Sequence, residues 1–313
     1  MGFAIHHPSV TWHVQSLCVL IILIKQSANT SDGRILLHMS IMVWKIDKST
    51  ISRLTFSETD FDSITKRLPS GLYTTFRTFA QHTKVIGLSA HLARLYQPAK
   101  TQGLVIVRTQ RKLRQILAQL LNSMGTDEAR VRIVLDTTSE PGTLYVMMQV
   151  FQVLPEKLYH EGACVALSAR SRDEPRLKKT QFISASANER ECIGGDVFEI
   201  LLTHRGRILE GMTSNFFYVC GETLGTAARG VLLGVTRGTV LALARQAEIR
   251  IRYRALPCDE ISTITEAFIT SSSRGIVPIA QIEHHDIGSA GTIMQKLMEM
   301  YDRQLYSLAE PFV

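Results

Sequence analysis

Short runs rich in apolar, β-branched and aromatic residues recur along the chain and read as strands. Leu72–Phe79, rich in Tyr, Thr and Phe, reads as a strand, and a turn over Gln81–Lys84 leads to a second at Val85–Leu88. Ser89 stands where a helix N-cap belongs, ahead of His91–Tyr96. A helical period follows. Leu113, Ile116, Leu117, Leu120, Leu121 and Met124 mark one helical face, closed by Gly125. Val131–Leu135 and Leu144–Val150 return to strand character, joined as a hairpin through Glu140-Pro141-Gly142.

Residues 151–162 carry Pro155 and few apolar positions, and we place a domain boundary there, between a smaller domain at 42–155 and a larger one at 156–313. Strands are expected at Ala163–Leu167, Val197–Leu202, Phe216–Cys220, Ile249–Tyr253 and Ala267–Thr270, with helices within Ser184–Ile193 and over Arg237–Gln246. Mixed elements of this kind make an α/β or α+β fold, and periodicity alone does not choose between them.

Composition narrows the classes. With 313 residues, 45% hydrophobic and 20% charged, the chain is long enough for two domains and too apolar for whole-chain disorder. The net charge of +7 is scattered. Its densest group, Arg250, Arg252 and Arg254, alternates with Ile249, Ile251 and Tyr253 and reads as the wet face of a strand. No nucleic-acid partner is expected. Cys18, Cys164, Cys192, Cys220 and Cys258 form no CxxC pair, so neither a metal site nor a disulfide scaffold is expected, and reduced thiols in a cytoplasm are. Leu17–Ile24 is too short to span a bilayer, and Met1–Ser16 lacks the Lys or Arg of a secretory signal. We expect residues 1–41 to be a poorly ordered extension arising from an upstream start codon, with no membrane partner.

Four short features carry candidate chemistry. Lys178-Lys179-Thr180 places two amines side by side; in extended chain they point to opposite faces, so one alone enters a pocket. Taken singly, paired lysines are an ordinary solvated surface. Glu210-Gly-Met-Thr-Ser-Asn215 offers a carboxylate, or merely a polar turn with Gly211 at positive φ. Leu233-Gly-Val-Thr-Arg237 leads into a helix whose free amides suit a phosphate, although plain capping by Thr236 explains it equally. Thr270-Ser271-Ser272-Ser273-Arg274-Gly275 follows a strand and supplies hydroxyls and amides.

The order and spacing of all four resemble the class IV pyridoxal-phosphate-dependent aminotransferase family, which includes branched-chain and D-amino acid aminotransferases and aminodeoxychorismate lyases. Lys178-Lys-Thr-Gln-Phe-Ile183 is similar to its Lys-Thr-Thr-Asn-Tyr-Leu element, with Lys178 at the Schiff-base position. Glu210 to Asn215 resembles the element whose glutamate meets the ring nitrogen, and Val235-Thr236 the Ile-Thr pair that contacts the phosphate. Ser271-Ser272 resembles the second phosphate loop. His91-Leu-Ala-Arg94-Leu95 resembles His-x-x-Arg-Leu, whose arginine holds the phosphate.

The resemblance implies a two-domain fold of the D-amino acid aminotransferase type, with pyridoxal 5′-phosphate between the domains. It also implies a homodimer and transfer of an amino group between an amino acid and a 2-oxo acid. Lyase chemistry that eliminates pyruvate is the alternative within the family, and a non-catalytic binding protein of the same fold is the alternative outside it. Substrate carboxylates are expected at Arg130 or Arg132, with Ser272 and Ser273 beside them. Three positions depart from the family pattern. Phe182 replaces a tyrosine that bonds the cofactor's ring hydroxyl, and Gly275 and Thr75 replace common glutamates.

Overall fold

Two sheets, built in turn as the chain is read, organise the protein in this computed structural model, which describes residues 41–288 and 290–313. The extension expected at 1–41 lies outside the described residues, Ile41 excepted. No helix among the described residues is long and apolar enough to cross a membrane.

The first sheet takes β1 (Met42–Ile46), β2 (Ile51–Leu54), β3 (Gly71–Arg77), β5 (Ala129–Asp136) and β6 (Leu144–Val150) in the order β2-β1-β6-β5-β3, with every pairing antiparallel. Helices α2 (Leu88–Thr101) and α3 (Gln110–Asn122) cover one face. The stripe read from the sequence is the buried one: Leu113, Ile116, Leu117 and Leu121 pack on Val131, Ile133 and Leu135. Helix α1 (Phe61–Arg67) covers the other face, where Phe61 and Ile64 meet Tyr73, Val134 and Met147. With both faces covered, β5 is buried on both sides rather than alternating.

Ser89 does not cap α2. The helix begins at Leu88 behind Gly87, whose φ of 63° is left-handed, and Ser89 lies in its first turn. The amide and hydroxyl of Ser89 both donate to Glu310, which arrives from β17 (Ala309–Pro311) where that strand pairs with β4 (Lys84–Ile86). A carboxylate at a helix N-terminus satisfies a free amide and opposes the helix dipole. Here it comes from 221 residues downstream, a partner that no local pattern reveals.

Helix α4 (Glu156–Glu161) interrupts the expected connector. The second sheet then follows with β7 (Ala163–Ser168), β8 (Glu199–His204), β9 (Arg207–Gly211), β10 (Asn215–Cys220), β11 (Thr223–Gly225), β12 (Arg250–Arg252), β13 (Leu256–Pro257), β14 (Glu266–Ser271), β15 (Gly275–Ile282) and β16 (His285–Asp286). Its order is β12-β11-β10-β14-β15-β7-β8-β9-β13, with β16 beside β15. The β15–β7, β7–β8 and β11–β12 pairings are parallel and the others antiparallel, so the fold is a mixed α/β one. In place of one helix within 184–193, the chain forms two short turns, α5 (Gln181–Ala185) and α6 (Ala187–Glu191).

Helices α7 (Val235–Gln246) and α8 (Thr292–Leu308) pack together over β10 and β14. Phe217 and Phe268, directly opposite in register, stack there with centroids 5.0 Å apart. Each is fully buried, a burial worth about 1.5–3 kcal/mol per side chain. This packing fixes the N-terminus of α7 against the ends of β10 and β14, where the candidate chemistry converges.

Candidate active site

The segment carrying Lys178 is held as an added strand on the free edge of β3. The Tyr73 amide donates to the Lys178 carbonyl at 2.8 Å, and the Thr180 amide donates to the Gly71 carbonyl at 2.8 Å. Thr180 Oγ1 also accepts from the Gly71 amide at 2.9 Å. Extended backbone sends successive side chains to opposite sides. Lys178 therefore enters a cavity, with its Nζ 4.9 Å from the centre of the Tyr73 ring. Lys179 turns away and pairs with Glu174.

The cavity has a volume of about 470 Å³. It brings together every site residue expected from the sequence: Arg94, Arg130, Arg132, Lys178, Glu210, Val235, Thr236, Ser271, Ser272 and Ser273 all line it. They come from α2, β5, the strip on β3, β9, the first turn of α7 and the β14–β15 turn, segments up to 179 residues apart from Arg94 to Ser273.

Glu210 sits near the end of β9, beside an irregularity in the β8–β9 register, and is 2% exposed. β9 runs on through Gly211, whose φ is not left-handed, and the turn falls at Met212–Ser214, where the Ser214 amide donates to the Gly211 carbonyl at 3.4 Å. The Glu210 carboxylate accepts from Arg172 Nε at 2.9 Å, Asn215 Nδ2 at 3.1 Å and the Leu232 amide at 2.9 Å. Burial pushes its carboxyl above the ordinary value, against the pull of Arg172 and the Leu232 amide. Burial likewise drives the Lys178 amine well below the usual lysine range, helped by Arg94, Arg172 and Arg132 and opposed by Glu210. A lysine so placed reaches its neutral, nucleophilic form near neutral pH more readily than a free one.

The same cavity holds an anion cup. Gly234 is the N-cap of α7 and offers no side chain to the first turn, so capping by Thr236 does not account for this motif. First-turn amides of an α-helix have no partner within the helix and point at whatever lies before it. Thr236 Oγ1 lies 3.5 Å from Ser272 Oγ, closing the cup from the β14–β15 turn. Arg94 reaches in from α2 and donates to the Leu233 carbonyl at 2.8 Å, and burial pushes its guanidinium down to about 10. Ser271 is fixed by Arg274 Nε at 3.0 Å.

The three departures have structural counterparts. The Arg172 guanidinium lies 3.7 Å over the ring of Phe182. Thr75 Oγ1 accepts from Arg132 Nε at 3.1 Å. Gly275 has φ +67°, and a Cβ there would lie 3.3 Å from Tyr301, so a glutamate would be strained at this position.

Several residues of the site leave no mark in the motifs. Arg172 bonds Glu210 and the Met212 carbonyl, the latter at 2.7 Å, and its only sequence signal is its place six residues before Lys178. Asp62 and Arg190 line the cavity from α1 and α6, and nothing in the spacing announces them. A phosphorylated heteroaromatic aldehyde fits this donor set. Amides, hydroxyls and Arg94 suit a dianion at one end, a carboxylate lies ready for a ring N–H, and a lysine of lowered basicity faces both.

The profile of the amino-transferase class IV family matches residues 71–282. An aminodeoxychorismate lyase of Bacillus subtilis is 28% identical over 260 residues, covering 76% of this chain and 86% of the lyase. A probable branched-chain-amino-acid aminotransferase of Thermotoga maritima is 27% identical over 264 residues, covering 81% and 93%. Among solved structures, a putative branched-chain amino acid aminotransferase of Thermotoga maritima superposes with a TM-score of 0.70 at 24% identity, over 85% of this chain and 96% of that one. The branched-chain aminotransferase of the archaeon Thermoproteus uzoniensis, solved with norvaline, gives a TM-score of 0.69 at 21% identity, over 87% and 99%. The family profile spans more than half of the chain, from the strand that carries Tyr73 to the end of β15, and the protein is a member of the class IV aminotransferase family of enzymes.

Proposed function

We propose that the protein is a pyridoxal-phosphate-dependent aminotransferase of branched-chain type, moving an amino group between an amino acid and a 2-oxo acid. One observation carries the reading: the Lys178 amine, the Glu210 carboxylate and the cup at the N-terminus of α7 share a single cavity. Bound there, pyridoxal phosphate supplies an electron sink for the bond broken at the substrate's α-carbon. Arg94, the first turn of α7 at Val235 and Thr236, and Ser271 with Ser272 would hold its phosphate. The Glu210 carboxylate would accept a hydrogen bond from the ring N–H and so favour the protonated ring. Lys178, its basicity lowered by burial, would be the nucleophile toward the aldehyde and the base that carries a proton at the α-carbon. Arg130 and Arg132 present charge to a substrate carboxylate, with Ser272 and Ser273 on the facing turn.

The two sheets are read as two domains, 42–155 and 156–313, with the cofactor between them. A homodimer in the cytoplasm completes the reading, in keeping with the free thiols at Cys164, Cys192, Cys220 and Cys258.

The test is spectroscopic and then chemical. Incubated with pyridoxal phosphate, the purified protein gains a visible absorption band that borohydride bleaches, and branched-chain amino acids with 2-oxoglutarate turn over. A sample that stays colourless overturns the cofactor assignment. Pyruvate release from aminodeoxychorismate without amino transfer would assign the lyase reaction instead, the activity named for the Bacillus subtilis relative.

A further inference from the structure

Two turns that line the cavity hang on one buried acid outside it. Glu199 opens β8, is fully buried, and does not itself line the cavity. Its Oε2 accepts from the Thr213 amide at 3.3 Å, Thr213 Oγ1 at 2.5 Å and Ser214 Oγ at 3.1 Å. These two residues form the turn between Glu210 and Asn215. The same oxygen accepts from Arg274 Nη2 at 3.1 Å, in an ion pair that leaves 18% of the arginine and 1% of the glutamate side chain exposed. Arg274 reaches back from the β14–β15 turn. Its Nη2 also donates to Thr213 Oγ1 at 2.5 Å, and its Nε donates to Ser271 Oγ at 3.0 Å. Thr213, Ser214, Ser271 and Arg274 all line the cavity.

We propose that Glu199 is a positioning residue for the phosphate cup, acting through Arg274 on the Ser271 hydroxyl. This rests on the reading that the cup holds the cofactor's phosphate. A serine hydroxyl has one hydrogen to give. With Arg274 Nε–H donated to the Ser271 oxygen, that hydrogen stays free for an anion. Glu199 holds the guanidinium in the orientation that does this, and the planar fork lets one arginine serve Ser271, Thr213 and Glu199 together. The carboxylate also balances the guanidinium's charge, so that Arg274 stays on its turn instead of swinging onto the anion. Because the same oxygen holds Thr213 and Ser214, the cup and the Glu210 end of the site are set from one point.

The test compares pyridoxal phosphate with pyridoxal, each binding to the cofactor-free protein in equilibrium dialysis. Glu199→Gln should weaken pyridoxal phosphate at least about tenfold, the scale of one charge-assisted hydrogen bond, and leave pyridoxal within about twofold. Arg274→Lys keeps the charge but loses the fork, and should shift the ratio in the same way. The double variant should lose little beyond the larger single loss, and fully additive losses would overturn the proposal. Equal losses for both ligands would mark a merely structural role and overturn it too. So would tighter phosphate binding in Glu199→Gln, which would make Arg274 a bare charge acting on the anion. Should Glu199→Gln fail to fold, Arg274→Lys decides on its own. Inorganic phosphate, titrated calorimetrically into the cofactor-free protein, reads the cup without the aldehyde. If Glu199→Gln weakens it in a protein that gains no visible band with pyridoxal phosphate, the cofactor reading falls and this inference stands. A visible band with an unshifted ratio overturns this inference alone.

Discussion

Arg172 and Glu210 form an ion pair at 2.9 Å with 4% and 2% of their side chains exposed. Removing the arginine strands a buried carboxylate that already resists ionisation. Arg172→Ala is therefore expected to cost about 3–5 kcal/mol of stability, the range for breaking one side of a buried pair. Urea denaturation of the cofactor-free protein measures it. A double variant with Glu210→Gln should recover part of the loss, since no buried charge is then left alone.

Lys178 and Lys179 give a sharper contrast. Lys178→Ala should abolish the visible band of the loaded protein and lower turnover by at least about 10²–10⁴-fold, the usual contribution of a positioned proton carrier. Lys179→Ala removes only a surface pair with Glu174 and should leave the band in place. Loss of the band in Lys179→Ala alone would exchange the roles of the two residues.

The depressed Lys178 basicity also predicts a pH dependence of folding. Between its lowered folded value and the ordinary 10.5, the unfolded chain holds the proton and the native protein does not. Stability then rises with pH across that window, because the unfolded state binds more protons there. Below the folded value both states are protonated, and the native state bears the full cost of a buried charge. Denaturation of the cofactor-free protein at rising alkaline pH should show this gain, and Lys178→Met should flatten it.

Gly234 lies where the cup and the Glu210 cluster meet. A Cβ at this position would fall 2.0 Å from Asn215 Oδ1, and Asn215 donates to Glu210 at 3.1 Å. Gly234→Ala must push Asn215 aside or displace the first turn of α7. Weaker retention of pyridoxal phosphate, by about tenfold or more for a loss near 1.4 kcal/mol, is expected in equilibrium dialysis.

Much of the architecture is legible in the sequence because it is local. The spacing of Leu113, Ile116 and Leu117 reports directly which positions face a core. The motif residues around Lys178, Glu210, Thr236 and Ser272 are likewise readable, since each feature sits within a few consecutive positions. What escapes is partnership across the chain. Ser89 looks like a cap because Ser usually is one, whereas Glu310 takes that task from the far end. Arg172 and Asp62 act through residues 38 and 70 positions away, and no periodicity links an acid to an arginine at such distances. Met294, Leu297 and Tyr301 carry a helical spacing, yet nothing in it says that α8 will lie against α7 and the Gly275 turn.

The pairing of β17 with β4 has a bearing on the order of assembly. The helix that delivers Arg94 starts beside Ser89, and its opening turn is completed by Glu310, with Arg114 donating to the same carboxylate at 3.2 Å. Closing so long a loop is slow relative to forming neighbouring hairpins. A nascent chain still short of position 310 can build its early sheet but not this clasp, so tight grip on a phosphate should be among the last properties the emerging protein acquires.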